Sequence, residues 1–166
     1  MKTTKTFYLS VLTVMFVFLL NASCQKDDNT GGNDTCNGVI SVKASGALDD
    51  NICFINSSDF GYTENERVYL SASGNNQTYG FDVSVVANDG TFTGPGTYNC
   101  GQDQPGFVEL VIHGNENEFY KSISGTITIT EVDQNRFKGS FNVEAKGYYN
   151  QQGVTLSGTF NYTGNK

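Results

Sequence analysis

The sequence predicts an all-β domain: an antiparallel β-sandwich of about nine short strands, ending in a three-stranded meander. Three observations carry this. Apolar residues recur with period two through most of the chain, the spacing that places them on one face of an extended strand. Clusters of Gly, Asn and Asp interrupt these runs every ten residues or so, and both prolines, Pro95 and Pro105, stand beside glycine in such clusters. No stretch sustains the period of an amphipathic helix.

Residues 1–35 stand apart from that pattern. Lys2 and Lys5 precede an apolar run from Phe7 to Leu20, and the run ends in Asn21-Ala22-Ser23. A charged start, a short apolar core and small residues before a cleavage point make a secretory signal, and the core is short for spanning a bilayer. Cys24 follows directly. A cysteine at a new N-terminus can accept a diacylglycerol on its thiol and a palmitate-like acyl chain on its amine, and two or three chains anchor a protein that one would hold marginally. Between Gln25 and Thr35 there is no apolar residue, so that segment reads as a disordered tether. The expected organisation is a signal peptide over 1–23, a lipidated tether over 24–35 and a single β-domain over 36–166.

Within the domain the expected strands are 39–44, 52–56, 68–72, 79–87, 97–100, 107–113, 123–130, 137–146 and 154–162. Residues 59–67 leave room for one short helical turn. The last three strands alternate most strictly. Ile127 and Ile129 alternate with threonines, Phe137, Phe141 and Val143 with polar residues, and Val154, Leu156 and Phe160 likewise, so one face is core and the other wet. Turns centred on Asp133 and on Tyr149-Asn150 would set Phe141 between Gly125 and Gly158, and Gly139 between Ile127 and Phe160. Rings over glycines fill the space that glycine leaves, and the missing side chains let a sheet curl.

Two resemblances attach to these residues. Met1 to Asp28 resembles a bacterial type II lipoprotein signal, although Asn21 stands where that pattern usually has Leu, with Leu20 one place early. Gln25-Lys26-Asp27-Asp28 resembles the acidic export tag that follows the lipidated cysteine in surface lipoproteins of the Bacteroidota. An ordinary secretory signal, leaving Cys24 as a free or paired thiol, is the alternative. Gly94-Pro95-Gly96-Thr97-Tyr98, then Ser124 to Thr130, Phe137 to Phe141 and Val154 to Phe160, are similar to a family of small Bacteroidota lipoproteins with no assigned function. That likeness implies the fold and the location and brings no catalytic residues to transfer. A calycin-like closed β-barrel is the alternative to the sandwich for the same strands.

Composition narrows the chemistry. Removal of residues 1–23 leaves 143 residues with all 17 Asp and Glu and 8 of the 10 Lys and Arg, a formal charge of −9. Such a balance argues against nucleic acid, which is held mainly by Lys and Arg, so the membrane would be met through the lipid on Cys24 alone. Of Cys36, Cys53 and Cys100, an exported chain would pair two, and sequence leaves all three pairings open. The lone His113 has no local nucleophile or carboxylate to make a triad, and one His with scattered Cys lacks the spacing of a zinc site. Asp49-Asp50-Asn51, Asp59 with Glu64 and Glu66, and the 115–118 loop gather oxygen ligands, but none follows the twelve-residue calcium loop, so we expect solvated acidic loops and neither metal nor cofactor.

Aromatic loops remain. Tyr148, Tyr149 and Asn150, between Gly147 and Gly153, set two rings beside an amide, a combination that can stack on a sugar and bond its hydroxyls; otherwise the rings pack over the core end. The expected protein is therefore a binding or accessory module rather than an enzyme, lipid-anchored at the outer membrane, exposed at the cell surface, and directed at a glycan or a protein. The alternatives are a structural or inhibitory lipoprotein on the periplasmic side, with a flat apolar face, and a hydrolase using loop carboxylates.

Overall fold

The computed structural model describes residues 36–74, 78–87, 92–114 and 117–164. Cys24, Gln25, Lys26, Asp27 and Asp28, and with them the signal and tether, lie outside the described residues. Cys36–Lys166 is one compact unit. Its described strands are β1 (Ile40–Gly46), β2 (Asp50–Phe54), β3 (Ser57–Thr63), β4 (Arg67–Ser73), β5 (Tyr79–Val86), β6 (Gly96–Asn99), β7 (Gly106–Ile112), β8 (Glu118–Asp133), β9 (Arg136–Gly147) and β10 (Gly153–Thr163).

These strands make one antiparallel sheet in the order β2-β1-β10-β9-β8-β7-β5-β4-β3, nearly closed and barrel-shaped, with β6 added along β8. β8 holds both partners because it changes neighbour midway: Glu118 to Lys121 pair with β7, and Thr126 to Ile129 pair with β6. The edge strands β2 and β3 follow one another in sequence, joined by Ile55-Asn56, yet stand at opposite ends of the sheet order. Inward-facing side chains form one core. Rings meet across it, Phe54 of β2 with Phe81 of β5 at 5.7 Å and Phe81 with Phe141 of β9 at 5.2 Å, so the barrel centre is filled at that level.

All nine expected strands are present, and β3 is the addition. The room left for a helical turn at residues 59–67 is instead strand to Thr63 and a turn that places Asn65 at φ +62°. β3 is half-exposed along its length, so no clean alternation marks it, but Phe60 stacks on Tyr162 of β10 at 4.3 Å and Tyr62 meets Phe92 edge-on.

The C-terminal meander stands as expected between β9 and β10: Phe141 pairs with Gly158 and Phe160 with Gly139. A methyl added at Gly158 would lie 2.7 Å from the Phe141 ring and 1.9 Å from the Ser41 oxygen, so glycine is needed for that ring to lie down. Between β8 and β9 the register differs from expectation by two residues. Phe141 pairs with Ile127, and Gly125 with Val143. The turn is centred on Gln134-Asn135, closed by Asp133↔Arg136, and a bulge between Ile129 and Glu131 inserts a further residue.

Candidate functional site

The β9–β10 hairpin holds the most exposed aromatic side chains of the described residues: Tyr148 is 61% and Tyr149 65% exposed. Their positions are fixed from β8, about thirty residues earlier. Glu118 accepts the Tyr149 N–H on Oε1 and the Asn150 N–H on Oε2, both at 3.0 Å. Burial raises the Glu118 pKa, but N–H groups of Tyr149, Asn150, Phe119 and Tyr148 favour the carboxylate, and the net result lies below the ordinary Glu value. Asn150 donates through Nδ2 to the Tyr120 hydroxyl at 2.7 Å and accepts the Gln152 N–H on Oδ1 at 2.9 Å. Both ends of that amide are engaged inside the loop. Gln151, at φ +58°, donates to the Tyr148 carbonyl at 2.6 Å. Gly147 is required beneath, because a Cβ there would lie 2.0 Å from Asn150 Oδ1.

The tyrosines are thus presented rather than folded away. Tyr148 and Tyr149 meet edge-to-face at 4.9 Å, and Tyr149 leans on Phe119 at 6.4 Å. The Tyr148 N–H bonds the Phe119 carbonyl at 2.9 Å, which extends the β8–β9 ladder one step and sets Phe119 opposite Tyr148 on the outer face. Two residues along the same face, Lys121 stands opposite Lys146.

The outer face continues from there as a charged row across four strands: Asp82 of β5 pairs with Glu109 of β7, Glu109 with Lys121, and Lys121 with Lys146. Ser71 donates to Asp82, and Lys121 reaches Glu109 Oε2 at 3.3 Å without hydrogen-bond geometry. Asp82 and Glu109 are the two carboxylates that the topology brings together and that sequence reading did not single out. The acidic loops named from sequence have separate uses. Asp50 accepts the Tyr79 hydroxyl at 2.8 Å, and burial followed by that bond pushes the Tyr79 pKa up to about 12. Asp59 lies in β3 and accepts the Tyr69 hydroxyl at 3.1 Å. Among the described residues no three His, Cys, Asp or Glu side chains group as metal ligands.

The cysteines resolve into one pair. Cys36 and Cys53 form a disulfide, with Cα atoms 5.6 Å apart, and Cys100 is buried and free, its thiol pKa raised by burial to about 12. Cys53 is exposed between the buried Ile52 and Phe54, so the bridge lies on the outside of the barrel and fastens the entering chain to edge strand β2. His113 is exposed at the end of β7, with its ring over Gly80. No helix among the described residues is long and apolar enough to cross a membrane. Comparison with protein-family models, with curated proteins and with solved structures gives no match.

Proposed function

We propose that this chain is a lipid-anchored module of the outer membrane, exposed at the cell surface, that binds a glycan through its β9–β10 hairpin. The observation that carries the reading is the clamped tyrosine pair: two exposed rings on a loop whose polar atoms are already satisfied by Glu118, Asn150 and Tyr120. A loop held in its binding conformation loses little entropy when a ligand arrives, and tyrosine rings offer a sugar both an apolar face and a hydroxyl. The location rests on Cys24 and on Gln25, Lys26, Asp27 and Asp28 as read from the sequence. Replacement of Tyr148 and Tyr149 by alanine, assayed on a polysaccharide panel, tests the binding: loss in the double variant with an unchanged melting temperature supports it, and undiminished binding refutes it. Labelled palmitate should enter the wild type and not Cys24→Ser. Protease shaving of intact cells should remove a C-terminal epitope from the wild type but not from Asp27→Ala/Asp28→Ala, and protection of both would place the domain inside.

A protein ligand is the second reading, favoured by Val86, Phe107 and Ile123. These three are 44%, 37% and 56% exposed on neighbouring strands β5, β7 and β8, an apolar area on the outer surface.

A further inference from the structure

Lys121 and Lys146 are an unusual pair for this surface. In a domain with twice as many acidic as basic residues, two ammonium groups stand directly opposite one another on adjacent strands, where Cβ atoms lie roughly 5 Å apart and like charges destabilise. Only one of them is balanced. Lys121 pairs with Glu109 at 3.3 Å, while Lys146 makes no ion pair among the described residues. Both lie at the foot of the tyrosine hairpin, with Phe119 and Tyr148 one step further along the same two strands, roughly 7 Å away. On the far side of Lys146 the cross-strand neighbour is Gly153, exposed, where an added Cβ would meet nothing within 4 Å. The ammonium of Lys146 is therefore open from the β10 side. Aromatic rings and cations thus form a two-by-two array on β8 and β9, with access beside it.

From this array we infer that the hairpin's ligand is an acidic glycan, a polymer of carboxylate-bearing sugars, whose ring packs on Tyr148 and Tyr149 while its carboxylate sits between Lys121 and Lys146. The inference rests on the glycan reading of the hairpin and adds the ligand's charge. An anion between the two lysines relieves their repulsion and supplies the partner that Lys146 lacks among the described residues, at ammonium–carboxylate hydrogen-bond strength. A neutral sugar would do neither. The sequence separates the two lysines by 25 positions, and only the β8–β9 register brings them face to face.

The test is calorimetric titration of the full-length chain in detergent with polygalacturonate, alginate and hyaluronan as acidic polymers, and with dextran and mannan as neutral ones. Binding of at least one acidic polymer is expected, weakened about tenfold or more by Lys146→Gln and further by the Lys121→Gln/Lys146→Gln pair. Lys43→Gln removes the same charge from the exposed outer face of β1 and should leave affinity within about twofold, which separates a local site from overall charge. Acidic binding that survives the double lysine variant overturns the inference. Binding of neutral polymers alone, lost with Tyr148→Ala/Tyr149→Ala, overturns it while leaving the glycan module standing. Lysine-dependent acidic binding that ignores the tyrosines removes the hairpin reading and with it the inference as stated, and no binding to any polymer removes both.

Discussion

The meander β8-β9-β10 and the edge pair β2-β3 solve the same problem by different means. The meander strands run 16, 12 and 11 residues, and each pairs over most of its length, with Phe141 and Phe160 lying over Gly158 and Gly139. Strand pairing and ring packing carry the length of this region, and its side-chain ties lie at its two turns, Glu118 at the hairpin and Arg136 with Asp133 at the other. The edge strands run 5 and 7 residues and each has one strand partner, and point attachments hold them: the Cys36–Cys53 bridge, the Tyr79–Asp50 hydrogen bond and the Phe60–Tyr162 stack. A short strand with one paired side has too little ladder to hold itself, so side chains from elsewhere do it.

Breaking the meander should have the largest effect. Phe141→Ala should destabilise by about 3–5 kcal/mol in chemical denaturation, as a cavity opens among Phe81, Ile127 and Gly158. A loss under about 0.5 kcal/mol would mean that the ring is not a core element and the contrast is misdrawn. Cleaving the disulfide comes next. It closes a 17-residue separation, so Cys36→Ser/Cys53→Ser should cost about 3 kcal/mol by the loop-entropy relation. Amide exchange sharpens this one: protection should fall first in β1 and β2 and hold in β9 and β10.

Smaller changes separate the fastenings. Tyr79→Phe should cost about 1 kcal/mol by removing the hydroxyl that Asp50 accepts. The same group responds to alkali. A tyrosine whose folded pKa is raised to about 12 favours the fold fully below its ordinary value near 10, and that contribution is lost as pH rises from there towards 12; Cys100 acts in the same sense from about 9 to 12. Alkaline unfolding should therefore begin earlier in the wild type than in Cys100→Ala. The smallest effect belongs to Glu118. Its lowered pKa makes its contribution present above the ordinary Glu range and lost as pH falls through the folded value, so acid should loosen the hairpin while the barrel stays folded. Tyr148 and Tyr149 fluorescence at pH 3 to 6, compared with Glu118→Gln, reads it, and coincident titration in wild type and variant would remove the clamp.

The meander was legible in the sequence because long, strictly alternating strands leave a period-two trace that Phe137 to Val143 and Val154 to Phe160 carry clearly. β3 was not, because Ser57 to Thr63 lies half in water and mixes Asp, Gly and aromatics without a clean face. The β8–β9 register escaped for a different reason: the turn is centred on Gln134-Asn135 rather than on Asp133, and the bulge at Ile129/Glu131, which no residue type announces, takes back only one residue of that displacement. The tyrosines of the hairpin could be picked out as loop aromatics. Their clamp could not, since Glu118 and Tyr120 reach the hairpin by strand pairing alone, and the choice among three cysteine pairings likewise needed the position of β2 at the sheet edge.

The pairing of β1 with β10 governs the order of events when the chain is made. Ile40 lies against Phe160, so the first strand of the domain is joined to the rest of the sheet by the last. A β1–β2 hairpin can close early, but it has nothing to dock on until almost the whole sequence has emerged. Strands β3 to β10 follow the chain closely in their pairing and can join piecemeal, so the β1–β10 closure is the one long-range strand pairing that must wait, and such pairings are the slow ones. In a chain delivered N-terminus first, the β1–β2 hairpin would therefore stay undocked until β10 arrives, and the sheet would be completed by that late step.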